Sequence, residues 1–206
     1  MIRKSLALSS LLLLLTCAAA CAEPADLGQQ ILAETNAARQ NPQRYAQYIR
    51  NFKKSFVGNA YRLPGSLNMV MTSEGKGALD EAVQFLSRQR PLPALSWSTG
   101  LAKAAADLVR EQTASGETGH DERGDMKQRI AKYGSWRSSF GENISYGPDT
   151  ARQVVMGLII DDGVADRGHR KNIFDRSFGT MGAACGPHPL YRTICVMDLA
   201  GGFQNR

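Results

Sequence analysis

The chain has 206 residues, with 25 Lys and Arg against 19 Asp and Glu, for a formal charge of +6. Its 43% hydrophobic and 21% charged residues place it among folded globular proteins and exclude wholesale disorder. No apolar run reaches the roughly 18 residues of a spanning helix, and the basic excess is too small for a nucleic-acid footprint.

The first 22 residues read as an export leader. Arg3 and Lys4 form a basic start, Leu6 to Leu15 an apolar stretch too short to span, and Ala18 to Ala22 supply small residues at cleavage spacing. Cleavage after Ala22 gives a chain starting at Glu23. Cleavage before Cys21 leaves a cysteine for a lipid anchor, with Ala18-Ala19-Ala20-Cys21 an imperfect lipoprotein signal. Either cut removes Arg3 and Lys4 and lowers the charge from +6 to +4. The expected product is one domain over 23–206, periplasmic, extracellular or lipid-anchored to the cell envelope. Membrane contact is expected only through an anchor at Cys21.

Export changes how the cysteines read. Cys17 and Cys21 fall in or beside the leader, and Cys185 and Cys195 remain as an even pair in an oxidising compartment. A disulfide between them is expected, closing the turn Gly186-Pro187-His188-Pro189-Leu190, with two free buried thiols as the alternative.

In chain order, the first helix is expected over Leu27 to Gln40, with Asp26 as N-cap and Leu27, Ile31, Leu32 and Ala38 on one face. Asn41-Pro42 breaks it and starts a second helix with Tyr45, Tyr48, Ile49 and Phe52 on one side. Residues 54–71 read as a long loop, with a short extended piece at Leu67 to Met71. Thr72 or Ser73 caps a helix striped by Ala78, Leu79, Ala82, Val83 and Leu86, which Pro91-Leu92-Pro93 ends. A helix from Ser98 or Thr99 to about Gln112 turns Leu101, Ala104, Ala105, Leu108 and Val109 inward, its three consecutive alanines suggesting close helix packing. Short helices follow at Met126 to Lys132 and Thr150 to Asp161. Thr180 to Cys185 and Tyr191 to Asp198 are β-like around the Pro-bracketed turn. The fold class is α+β, with helices dominant and a small sheet from the C-terminal third.

Two of the three histidines sit in matching settings, Thr118-Gly119-His120 and Arg167-Gly168-His169. Histidine titrates near neutrality and is a common metal ligand. With one or two carboxylates, two histidines would make a first shell for a divalent ion. The acidic candidates are Glu142, set between Gly141 and Asn143-Ile144, and Asp161 or Asp162 at the end of an apolar helix. Burying such an acid is costly without a cation or donors, and a helix C-terminus disfavours negative charge. Arg167, Arg170 and Lys171 form a basic cluster that would suit an anionic ligand or simply decorate a surface. His188 reads as an exposed turn residue, and Trp97 and Trp136 as core or rim packing. Asn143-Ile144-Ser145 matches a glycosylation acceptor, but Asn143 is expected to be pinned inside.

The order His120, Gly141-Glu142-Asn143-Ile144, an apolar helix ending in acid, then Gly168-His169-Arg170-Lys171-Asn172-Ile173 and a closing strand resembles the CAP superfamily. That superfamily takes in cysteine-rich secretory proteins, antigen five and pathogenesis-related proteins. Thr35-Asn36-Ala37-Ala38-Arg39 and Leu95-Ser96-Trp97-Ser98 are similar to its early elements, and the resemblance covers about 27 to 203. It implies a three-layer α-β-α sandwich with a cleft holding two histidines and two acids. Carried over by position, these are His120, Glu142 and His169, with Asp161 as the fourth and Asp162 as its substitute. Leu158 stands where the family carries Trp.

Three readings of that cleft follow. In the first, the four residues bind zinc, calcium or magnesium beside a small-molecule, lipid or envelope ligand. In the second, the same cleft is a metal-dependent hydrolase of peptides or esters, with His120, Glu142 or His169 catalytic. No Gly-x-Ser-x-Gly motif supports covalent catalysis. In the third, the four polar residues form a buried network that holds the shape of a partner-binding module.

Overall fold

The computed structural model describes residues 26–62, 69–120 and 126–206. The leader, Cys17, Cys21 and the start of the extended piece at Leu67 lie outside the described residues. Helix α1 (Leu27–Gln40) stops at Asn41, and α2 (Pro42–Lys53) starts on Pro42, because proline has no N–H to lose at a first helical position. A three-stranded antiparallel sheet follows, β1 (Phe56–Val57), β2 (Ala60–Arg62) and β3 (Met69–Met71). Helix α3 (Lys76–Arg88) comes next, then β4 (Ser96–Trp97), α4 (Thr99–Ser115) and α5 (Met126–Ala131). The remaining elements are β5 (Gly134–Ser135), β6 (Phe140–Tyr146), α6 (Ala151–Ile160), α7 (Gly168–Ile173), β7 (Thr180–His188), β8 (Arg192–Ala200) and β9 (Gln204–Asn205).

The central sheet has the order β4-β7-β8-β6, with β4 parallel to β7 and the other pairs antiparallel. Alternation along β8 divides the interior. Cys195, Met197 and Leu199 enter the core shared with α1, α2, α3 and α6. Ile194 and Val196 pack with Ala105, Leu108 and Val109 of α4, and Ala200 with Leu101 and Ala104. One strand thus feeds helical layers on both faces, which makes the expected α-β-α sandwich. The alanines of α4 serve close packing of this helix on the sheet. A Cβ on Gly182 of β7 would stand 2.1 Å from the Ala102 nitrogen. Arg39 ties the layers together: 1% exposed, it donates to the carbonyls of Pro93, Ile173, Asp175 and Phe178.

Cys185 and Cys195 face each other in the β7–β8 register and are bonded, with Cα atoms 4.1 Å apart. The strands run on past them to His188 and back from Arg192, so the turn is shorter than the prolines suggested. Other expectations need correction. Residues 56–62 form strands rather than an irregular loop, because Phe56 and Tyr61 stack (centroids 5.0 Å apart) over Phe52, and they pair with the expected extended piece, which is β3 over its described residues. The N-cap of α3 is Gly75, whose φ of 57° brings the chain into the helix, not Thr72 or Ser73. Ser98 and Thr150 do cap α4 and α6, accepting from Leu101 and Gln153 N–H. Strand β6 and helix α7, both unforeseen, carry the residues that matter next.

Candidate functional site

Edge strand β6 pairs with β8 so that Glu142 stands opposite Asp198. The Glu142 side chain is fully buried. Its Oε1 accepts from His120 Nδ1 at 2.7 Å, and its Oε2 accepts from Arg129 Nη2. Arg129 Nη1 also donates to Asp198 Oδ2 at 3.0 Å and to the Ala104 carbonyl at 2.7 Å. A guanidinium from α5 therefore sits between two carboxylates beneath the first histidine. Burial works against the Glu142 anion, but the hydrogen bond with His120 and the Arg129 charge hold its carboxyl below the usual range. The bond to Glu142 in turn raises His120 above 6.5 against the opposing effect of burial. Asp198 behaves oppositely: complete burial pushes its carboxyl well up, despite Arg129, and the neighbouring Glu142 adds to the rise. The two carboxyls that share Arg129 are therefore pushed in opposite directions, Glu142 toward its anion and Asp198 toward its neutral acid.

The second histidine stands on the first turn of α7. Asp161, the C-cap of α6, takes a left-handed conformation with φ of 59°. This turns its carboxylate onto the segment that follows. Oδ1 accepts from His169 Nδ1 at 2.6 Å, and Oδ2 accepts from the backbone N–H of His169 at 3.0 Å and Arg170 at 3.2 Å. Asn143, fully buried on β6, donates to the His169 carbonyl at 3.0 Å and accepts from Asn172 Nδ2 at 2.9 Å. That burial fits the expectation that Asn143 is pinned inside.

The two imidazoles lie nearly parallel, 29° apart, with ring centroids separated by 6.4 Å. Each spends Nδ1 on a carboxylate and keeps Nε2 for other use. The His120 side chain is 56% exposed and that of His169 23%, so solvent reaches both. Among the described residues, no three His, Cys, Asp or Glu converge as a ready-made metal site. Both carboxylates point at the imidazoles.

Asp162 takes no part. It turns away from Asp161 and accepts from the N–H groups of Ser73 and Glu74 at 2.7 and 2.8 Å. Nor do Arg167 and Arg170 form a free basic cluster. Arg167 is locked between Glu74 and Glu81 and the Asp161 and Val164 carbonyls, and Arg170 between Glu81 and the Ile159 and Ile160 carbonyls. Lys171 alone stays exposed. His188 is not an exposed turn residue but 2% exposed. Its Nε2 donates to the Glu117 carbonyl at 3.0 Å while Nδ1 accepts from Leu190 N–H at 3.2 Å, which pins the β7–β8 turn.

Sequence reasoning missed Arg129, Asp198, Gln112 and Tyr146. The last two close a ring around the loop that carries His120. Gln112 Nε2 donates to the Gly119 carbonyl at 2.7 Å, Gly119 N–H to Tyr146 Oη at 2.8 Å, and Tyr146 Oη to Gln112 Oε1 at 2.7 Å. Gly119 has φ of 99°, a conformation that favours glycine. The available signal was Asp198, the single charge inside the apolar run Ile194 to Ala200.

The model of the CAP family, described as the cysteine-rich secretory protein family, matches residues 32–199. No curated protein matches the chain. Among solved structures, an outer surface protein of Borrelia burgdorferi is similar at 18% identity and TM-score 0.46, covering 54% of this chain and 80% of that one. A cysteine-rich secretory protein of Staphylococcus aureus is similar at 15% identity and TM-score 0.43, covering 68% of this chain and 45% of that one. An extracellular protein containing an SCP domain from Bacillus anthracis is similar at 18% identity and TM-score 0.42, covering 65% and 46%. The chain spans less than half the length of the last two.

Proposed function

Because the chain belongs to the cysteine-rich secretory protein (CAP) family, we propose that it is an exported binding module whose paired histidines take a divalent cation. A small-molecule or envelope ligand completes the coordination. The observation that carries this reading is that each imidazole has its Nδ1 fixed by a buried carboxylate. Metal-binding histidines typically have that support, which fixes tautomer and ring direction and raises basicity. The carboxylates serve as backing, and the ion meets His120 Nε2 and His169 Nε2. Two imidazole donors suit a borderline ion such as zinc better than calcium or magnesium, which prefer oxygen. Two protein donors leave room for water and for oxygen atoms of the ligand. Export is supported by the leader-like first 22 residues and the Cys185–Cys195 disulfide.

Titration calorimetry with zinc, calcium and magnesium chlorides tests the proposal. Heat is expected with zinc, and none after His120→Ala or His169→Ala. Absence of heat and of thermal stabilisation from all three ions refutes it, as does zinc binding that survives both substitutions. The Glu142–His120 pair also fits a general base, so peptide or ester turnover abolished by the same substitutions would favour the hydrolase reading.

A further inference from the structure

The small sheet has two unlike faces. Directly paired residues in antiparallel strands share a face, and successive residues alternate. The registers Phe56↔Tyr61↔Val70 therefore define one face, and Val57↔Ala60↔Met71 together with Arg62↔Met69 the other. The first face turns inward, where Phe56, Tyr61 and Val70 line a mainly apolar cavity of about 190 Å³ with Phe52 and Ile160, which Asp162 and the edge of Met71 also reach. The opposite face points outward except at Ala60, which is buried, and its exposed members include three large apolar residues. Val57 is 77% exposed, Met71 73% and Met69 41%. No other strand of the protein presents an outward row of this kind among its described residues; the remaining large exposed apolar residues are Val70 beside the row and Leu190 and Tyr191 at the β7–β8 turn.

The charge around this face has one sign. From Thr35 to Ser73 the sequence contains no Asp or Glu, yet it carries Arg44, Arg50, Lys53, Lys54 and Arg62 besides the buried Arg39. Arg62 shares the outward face with Met69, and exposed Lys54 leads into β1 with the neutral Asn51 side chain as its hydrogen-bond partner among the described residues. The acids of neighbouring elements are already engaged: Asp80 with Lys53, Glu74 with Arg167, and Asp162 with backbone N–H groups.

We infer that the outward face of β1–β3 docks on an anionic lipid bilayer. Val57, Met69 and Met71 enter the headgroup boundary while Lys54 and Arg62 meet lipid phosphates. Exposed apolar side chains rimmed by cations are what interfacial binding requires. A further copy of this chain fits the patch less well, since its Lys54 and Arg62 would approach their like-charged equivalents. This inference is independent of the histidine pair.

The test is sedimentation of the processed chain with Cys21→Ser, so that no acyl group contributes at that position. Vesicles of phosphatidylglycerol and phosphatidylcholine are compared with phosphatidylcholine alone. Binding to the anionic vesicles is expected to weaken as salt rises. It should fall roughly tenfold for Val57→Asp with Met71→Asp, and about fivefold for each of Lys54→Gln and Arg62→Gln. His120→Ala should bind as the parent does. These substitutions are at exposed positions, and an unchanged melting temperature shows that each variant is folded; Met69→Gln is the reserve if the double variant is not. No binding, equal binding to neutral vesicles, or binding unchanged by the sheet variants overturns the inference. So does a concentration-dependent dimer that Val57→Asp with Met71→Asp dissolves, which would make the face a contact between copies.

Discussion

Replacing Arg129 by methionine would separate the two buried carboxylates from their cation while keeping an apolar stem in place. The wild-type guanidinium is 4% exposed and bridges Glu142 and Asp198, both with fully buried side chains. It also satisfies the Ala104 carbonyl. Removing one partner of a buried ion pair costs about 3–5 kcal/mol, and the orphaned carbonyl about 1–3 kcal/mol. Proton uptake by Glu142 offsets part of this, so a net loss of about 4 kcal/mol at pH 7 is expected, lowering Tm by about 8–16 °C in a domain of this size. The pH dependence gives the sign. In the wild type the folded Glu142 carboxyl lies below its ordinary 4.5, so its contribution is present above that value and is lost as pH falls. Without Arg129, burial raises the same carboxyl. The variant then keeps its stability at acid pH and loses it as pH rises through the folded value. The gap between the two proteins should therefore narrow toward pH 5. Asp198→Asn supplies the contrast. Burial pushes the Asp198 carboxyl well up, toward its neutral form, so this near-isosteric change should cost much less, about 1 kcal/mol or under. Urea unfolding of the three proteins at pH 5 and pH 7 decides it. An Arg129→Met protein within about 1 kcal/mol of wild type, or an Asp198→Asn protein as damaged as Arg129→Met, would refute the charge assignment.

Further outcomes can be checked separately. In an NMR titration the His120 ring should titrate above 6.5, and Glu142→Gln should bring it down, since the bond to Glu142 is the main cause of the rise. Stability from that bond is fully present below the unfolded histidine value and fades as pH rises through the folded one. Glu74 should titrate at about 2, held there chiefly by Arg167, and move up toward 4.5 in Arg167→Gln; a carboxyl unmoved by that change would discount the clamp. Cys185→Ser with Cys195→Ser opens a loop with a sequence separation of 10, and should cost about 3 kcal/mol in denaturant unfolding. Gly182→Ala forces a methyl to 2.1 Å from the Ala102 nitrogen; at least about 1–3 kcal/mol of destabilisation is expected, and an unchanged Tm would contradict the close approach of α4.

Much of the helical layer is legible because it follows local rules. Pro42, Ser98 and Thr150 mark helix starts, and apolar stripes at helical spacing mark the buried faces. Strand β6 is harder to read. Its run Phe140 to Tyr146 contains Gly, Glu and Asn, which oppose strand formation locally, and it holds only because β8 pairs with it throughout. The small sheet escapes notice for a related reason: strands of two and three residues leave too short a pattern to detect. For the site, residue types and motif order point to His120, Glu142, Asp161 and His169. What they do not disclose is direction. The left-handed turn at Asp161 decides which of two adjacent aspartates faces His169, and no side-chain pattern announces a backbone φ. Arg129 and Asp198 come from segments 69 residues apart, so only the tertiary fold shows that they belong with Glu142.

Glu142 and Asn143 are consecutive on β6, and their side chains leave opposite sides of the strand. One steadies the ring of His120, the other the carbonyl of His169. The two segments that deliver the histidines are thus both anchored on one step of extended backbone, about 3.3 Å long. A slip of one position between β6 and β8 would swap both grips to the wrong sides together, so the two anchors are kept or lost as a unit.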